Sequence, residues 1–125
     1  MANEAIPMFR PGADVTCLTT GAVTGKRFAG ISATRDATTG LNKVATCTAA
    51  AKAFGVFSYD AGSGDRVPVI LGPVIVSVDC GGTITAGAQV EVGSSGKAVA
   101  LASGVAVGQA LETGANNAEV LIRLY

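Results

Sequence analysis

Val74-Ile-Val-Ser-Val-Asp-Cys-Gly-Gly-Thr-Ile-Thr-Ala-Gly-Ala-Gln-Val-Glu-Val-Gly-Ser-Ser-Gly-Lys-Ala-Val-Ala-Leu-Ala-Ser-Gly-Val-Ala-Val-Gly-Gln-Ala-Leu111 decides the fold class. Short valine-rich runs are cut by glycine every few residues. Val74, Val76 and Val78 share one parity, as do Val90 and Val92, and then Val105 and Val107. Period-two spacing puts such side chains on one face of a strand. The glycines at 81, 82, 87, 93, 96, 104 and 108 are expected at tight turns or bulges, where a positive φ excludes a Cβ. The stretch contains no catalytic constellation.

Working outward, the same grammar continues to the C-terminus. Glu112–Asn117 is a polar turn. Ala118–Tyr125 alternates, with Val120, Ile122 and Leu124 on one face and Leu121, Arg123 and Tyr125 on the other. Toward the N-terminus, strands are expected at Val15–Thr19, Lys26–Ser32, Lys43–Thr48, Gly55–Tyr59 and Val67–Leu71. An exposed loop over Ala33–Asn42 and a turn over Asp60–Asp65 separate them. Pro68 lacks a donor, so its strand is expected at an edge or to carry a bulge. Ala49–Phe54 is the one piece with helical propensity, amounting to one or two turns ahead of Gly55.

Met1–Asp14 reads differently. Pro7 and Pro11 bracket Met8, Phe9 and Arg10, and proline enforces extended geometry on itself and its predecessor. The expected organisation is an extended arm over residues 1–14 and one β-domain over 15–125. The expected fold is all-β: a small sandwich or barrel of short Gly-punctuated strands, with at most one short helix.

Composition narrows the function classes. Nine Lys plus Arg balance nine Asp plus Glu, and no basic stripe exists to meet a phosphate backbone or an anionic membrane. No apolar run approaches the ~18 residues of a membrane-spanning helix. The first residues lack a basic region followed by an apolar one, so synthesis in a cytoplasm is expected. The chain has no histidine, which excludes Ser-His-Asp and Cys-His catalysis. Cys17, Cys47 and Cys80 are an odd set without metal-ligand spacing, expected as reduced, dispensable thiols. Gly81–Gly87 lacks the lysine and hydroxyl of a phosphate loop. Asp60–Asp65 lacks the alternating oxygens of a calcium loop. Lys97 reads as a solvated turn residue. No enzyme activity and no cofactor are expected. With no Trp and few aromatics, a carbohydrate-binding β-domain is disfavoured.

Several segments in order resemble the tailed-phage capsid cement proteins. They are Met1–Gly12, Ala22–Phe28, Ala53–Asp60, Gly64–Val69, Gly87–Val92, Gly96-Lys97 and Val107–Leu111. The resemblance implies a structural protein on the outer capsid surface of the virion, where it reinforces joints between major capsid protein subunits. It also implies a homotrimer at local threefold positions. A head-fibre base or tail component is the alternative. Two surfaces are expected to serve this role. Ile6, Pro7, Met8, Phe9, Arg10 and Pro11 would form a capsid-binding arm, since a large apolar pair on a pre-extended segment suits a partner groove. Leu121, Arg123 and Tyr125 would lie at a subunit interface. Nucleic acid and membrane are not expected as partners.

Overall fold

A computed structural model describes residues 14–125. Ten strands occur in chain order: β1 (Asp14–Thr19), β2 (Phe28–Ala33), β3 (Lys43–Thr46), β4 (Gly55–Phe57), β5 (Arg66–Ile70), β6 (Val74–Asp79), β7 (Gln89–Val92), β8 (Ala98–Ala100), β9 (Gly108–Ala110) and β10 (Glu119–Leu124). The first five close into a barrel in the order β1-β3-β2-β4-β5, and the last five form an open sheet in the order β6-β10-β9-β7-β8. The expectation of a sandwich or a barrel thus resolves into both, a sheet packed against a small barrel. Among the described strands, only the β1–β3 pair is parallel.

One local unit is used four times. A bridging residue (Val23, Ala61, Ile84 or Gly114) is followed three positions later by a residue of positive φ. These are Lys26 at 62°, Gly64 at 81°, Gly87 at 85° and Asn117 at 65°. Two positions further on, a strand begins, at Phe28, Arg66, Gln89 and Glu119. The left-handed residue reverses the chain, and glycine or asparagine meets that demand at least cost. The units pair two by two. Val23 and Ala61 exchange backbone bonds of 2.9 and 3.1 Å, and Ile84 and Gly114 exchange two of 2.9 Å. The first pair belongs to the barrel and the second to the sheet.

Burial explains how barrel and sheet hold together. Inside the barrel, Cys17, Ala29, Val44, Phe57, Val67 and Val69 form one core. A second core lies between barrel and sheet. Phe28, Cys47 and Val56 project from the barrel wall onto Val78, Val90, Val92, Val120, Ile122 and Leu124. Successive residues of β2 and β4 therefore serve different cores: Phe28 and Val56 the interlayer one, Ala29 and Phe57 the barrel one. A polar seam joins the same parts at one end. The Asp79 N–H donates to the Lys26 carbonyl at 2.8 Å, Arg27 Nε lies 3.3 Å from Asp79 Oδ2, and Lys26 pairs with Glu119.

Four expectations are corrected. Ala49–Phe54 is not helical: Ala50 has φ of 64°, and its N–H is committed to the Val92 carbonyl at 2.8 Å. A short run with good propensity cannot nucleate a helix when its backbone is claimed by a sheet. Among the described residues, the one helical turn is a 3₁₀ turn at Ser94–Gly96. Val105 and Val107 do not share a strand face; they lie in the loop between β8 and β9, Val107 buried and Val105 45% exposed. Pro68 sits in an interior strand, paired with β1 through Thr16. It is tolerated because the β4 ladder ends at Phe57↔Val69, where the Pro68 carbonyl still accepts from the Ser58 N–H. Of the glycines assigned to positive φ in the 74–111 stretch, only Gly87 and Gly96 have it.

Others are needed for close approach. A Cβ on Gly108 would stand 2.7 Å from the Arg123 carbonyl oxygen, in the pairing of β9 with β10, whereas one on Gly82 would meet nothing within 4 Å. Gly108→Ala is therefore expected to cost about 2 kcal/mol, in the range of overpacked sites. Gly82→Ala should leave stability within about 0.5 kcal/mol of the parent. Urea unfolding of the two variants checks the contrast; equal midpoints would show that β9 and β10 are not packed this closely.

Candidate functional site

Strand β10 sets the geometry of an exposed apolar surface. It is the second strand of the sheet, antiparallel to β6 on one side and β9 on the other. Val120, Ile122 and Leu124 are buried, so strict alternation turns Leu121, Arg123 and Tyr125 outward, as their spacing predicts. Neighbouring strands extend this outer face. Arg123 is level with Ile75 on β6 and Gln109 on β9, and Leu121 is level with Ser77. The Leu111 N–H donates to the Leu121 carbonyl at 2.9 Å, which places Leu111 beside it. Ile75 is 62% exposed, Tyr125 50%, Leu111 45% and Leu121 40%. The Arg123 guanidinium carbon lies 5.8 Å from the centroid of the Tyr125 ring, a cation–π distance.

Four large apolar side chains gathered on one outer sheet face are unusual for a lone soluble domain. The sequence reading named Leu121, Arg123 and Tyr125 but missed Ile75 and Leu111. The parity of Val74, Val76 and Val78 already pointed Ile75 to the opposite face. Leu111 needed the tertiary pairing with β10.

Other groups singled out in the sequence are occupied locally. Asp60 accepts the Gly25 N–H at 2.8 Å and Asp65 accepts the Gly62 N–H at 2.9 Å. Each carboxylate braces the turn of its own pair of repeat units. The recess lined by Gly25, Lys26, Ser58, Tyr59 and Asp60 therefore has its carboxylate and its cation already engaged. Lys97 donates to Asn117 Oδ1 at 3.1 Å. Glu91 is buried and accepts the Gly104 N–H. Among the described residues no group of three or more metal-ligating side chains comes together. Residues 6–11, the expected capsid-binding arm, lie outside the described residues.

A comparison with protein-family models matches residues 9–124 to the phage cement proteins. The chain belongs to the phage cement protein family. It is accordingly a structural, capsid-associated protein of the phage virion. A comparison with curated proteins finds no match. Among solved structures, the chain is similar to the N base of the head fibre protein gp8.5 of bacteriophage phi29, with a TM-score of 0.75 and 20% identity. The match covers 90% of this chain and 92% of that one. That likeness establishes a common fold, the barrel with its packed sheet.

The three thiols of this cement protein are buried and unpaired. Burial pushes the Cys17 thiol up to about 11 and raises those of Cys47 and Cys80. Near Cys80 the negative charges of Asp79 and Glu112 add to the rise. The linkage has a definite sign. An unfolded thiol titrates near ~8.5, so above that pH the unfolded chain releases a proton that the folded chain retains. The stability due to a raised thiol is complete below about pH 8.5 and is lost as pH rises toward 11. The stability difference between the parent and Cys17→Ala should therefore shrink between pH 7 and pH 10. Urea unfolding at both values measures it, and a constant difference would show that Cys17 is not shielded in the barrel.

Proposed function

We propose that this protein binds the outer surface of the assembled phage head and reinforces contacts between major capsid protein subunits, acting as a homotrimer. The observation that carries the reading is the family match over residues 9–124. The exposed face of Ile75, Leu111, Leu121 and Tyr125 supports a contact with other copies of the chain, with Arg123 and Tyr125 near its centre. Cementing is mass action. A protein that binds only the assembled shell lowers the free energy of that state, and many weak sites on one shell act together. Such a role needs a rigid frame and complementary surfaces and no reactive group. Residues 6–11 are proposed to contribute to the shell contact, with Met8 and Phe9 as apolar anchors.

A second reading, the base of a head fibre, is favoured by the fold shared with the gp8.5 N base. Electron microscopy of virions separates the two. A cement protein gives uniform density at subunit joints, and a fibre base gives density continued by a projecting shaft.

The direct test is co-sedimentation of purified protein with expanded empty heads. The parent should pellet with heads and show trimeric density on their outer surface. Leu121→Glu places an unpaired charge in the proposed subunit contact, where a desolvated charge is strongly unfavourable. It is expected to fold normally, because the side chain is exposed, and to bind heads at least tenfold more weakly. Unchanged binding, or single isolated copies in cryo-electron density, would overturn the trimer.

A further inference from the structure

The sheet repeats the barrel strand for strand. β1 pairs with β5 as β6 pairs with β10, with Cys17↔Val67 matched by Val78↔Val120. β2 pairs with β4 as β7 pairs with β9, with Phe28↔Val56 matched by Gln89↔Gln109. β2 pairs with β3 as β7 pairs with β8, with Ile31↔Val44 matched by Val92↔Ala98. β4 pairs with β5 as β9 pairs with β10, with Phe57↔Val69 matched by Ala110↔Ile122. The parallel contact of β1 with β3 has its counterpart in the parallel bridge Cys80↔Ala98. Single hydrogen bonds recur as well. The Thr20 N–H donates to the Val44 carbonyl at 2.9 Å, and the Gly81 N–H to the Ala98 carbonyl at 2.8 Å. The Ser58 N–H donates to the Pro68 carbonyl at 3.1 Å, and the Leu111 N–H to the Leu121 carbonyl at 2.9 Å. One five-stranded module is therefore present twice, and each copy shows what the fold requires of the other.

The connection from the second to the third strand of the module differs between the copies. In the sheet, Val92 and Lys97 are joined by Gly93-Ser94-Ser95-Gly96, and the Gly93 N–H closes the turn on the Lys97 carbonyl at 2.7 Å. That turn lies against the barrel: a Cβ on Gly96 would stand 2.8 Å from Thr46 Cγ2 and 3.1 Å from the Phe28 carbonyl oxygen. In the barrel, the equivalent Ile31 and Lys43 are joined by residues 32–42, a connection more than twice as long. The module closes without that extra length. The added loop is nonetheless tightly braced. Asp36 Oδ2 accepts the Thr39 N–H at 2.8 Å and the Thr39 hydroxyl at 2.7 Å. The Asp36 N–H donates to the Leu41 carbonyl at 2.9 Å, and the Gly40 N–H, at a φ of 74°, to the Asp36 carbonyl at 2.8 Å. Lys43 Nζ lies 3.8 Å from Asp36 Oδ1. The Thr39 hydroxyl and N–H hold the Asp36 carboxyl below its ordinary value. At its base the loop is tied to β1 and the turn after it, through the Leu18 N–H on the Asn42 carbonyl at 2.9 Å and through Ser32 Oγ, 2.7 Å from Thr20 Oγ1.

These bonds hold a loop whose side chains at Thr34, Arg35, Ala37, Thr38 and Thr39 are exposed. Ordering such a segment costs conformational entropy, and no residue of the loop enters either core. A loop ordered in advance loses less freedom when a partner arrives, and binding groups are commonly carried on loops positioned by a rigid scaffold. We propose that residues 32–42 form a contact element that seats on the outer protein surface of the phage head. Its exposed tip is mainly hydroxyl-bearing and charged. The surface it fits is therefore a polar site on the major capsid protein, met by hydrogen bonds. The apolar face on β6 and β10 is left for other copies of the chain. This contact rests on the proposed function and assigns that function a site in the barrel.

Co-sedimentation of the full-length protein with expanded empty heads tests the contact. In one variant, residues 32–42 are replaced by Gly-Ser-Ser-Gly, the turn that the sheet uses at the same place. It should keep the far-UV spectrum and a urea midpoint close to the parent, and bind heads about tenfold more weakly or worse. Thr38→Trp keeps the loop and the frame and puts bulk on an exposed tip position. It should weaken head binding to a similar degree, and it carries the test if the shortened variant does not fold. Asp36→Ala removes the brace alone and should weaken binding by a smaller factor. A parent that pellets with heads while folded Thr38→Trp or the folded short-loop variant pellets equally well overturns the loop contact and leaves the proposed function standing. A parent that does not pellet with heads overturns both.

Discussion

The interlayer packing of Phe28, Cys47 and Val56 against the inner face of the sheet is the contact on which the rest of the molecule depends. A five-stranded barrel of this size encloses a core of valines, one alanine, one cysteine and one phenylalanine. Such a core removes little apolar area from water, and stability scales roughly with that area. The sheet is open and has only one face to bury. Each half supplies what the other lacks. The barrel offers the outer side of β2, β3 and β4, and the sheet offers Val78, Val90, Val92, Val120, Ile122 and Leu124. β4 consequently has all three residues buried, a pattern that an isolated barrel could not sustain.

The fourfold repeat ties the strands of each half together. Each unit spends a left-handed residue on reversing the chain and delivers a strand two positions later. The mutual bridges Val23–Ala61 and Ile84–Gly114 tie the units together in pairs. Side chains at the turns are put to structural use: Asp60 and Asp65 hold backbone N–H groups, Lys26 pairs with Glu119, and Lys97 holds Asn117. Polar groups that another protein would direct at a substrate are here absorbed by the frame. That is consistent with a protein whose work is done by shape and surface, as cementing requires.

The outer face of the sheet follows from the same constraint. With one face committed to the barrel, β6, β9 and β10 must turn alternate residues outward. At those positions the chain places Ile75, Leu111, Leu121 and Tyr125. Among the described residues, none of the four belongs to either core.

Sequence alone determined the elements governed by local chemistry. Period-two alternation in Ala118–Tyr125 separated Val120, Ile122 and Leu124 from Leu121, Arg123 and Tyr125, as β10 does, because a strand's side-chain period follows from backbone geometry. The all-β class, the unpaired thiols and the turns at Asp60–Asp65 and Glu112–Asn117 were legible for similar reasons. Membership in the cement family was legible in the ordered segments that run through most of the chain. What only the tertiary structure decided involves partners far apart in the chain. Ala49–Phe54 has helical propensity, yet Val92 claims the Ala50 N–H. Pro68 sits inside a barrel because β4 happens to stop beside it. Gly108 is small because Arg123 passes close. Glu91 is buried because the loop carrying Gly104 folds over it. Propensity and periodicity are properties of neighbours in sequence, whereas burial and backbone pairing depend on which distant strand arrives alongside.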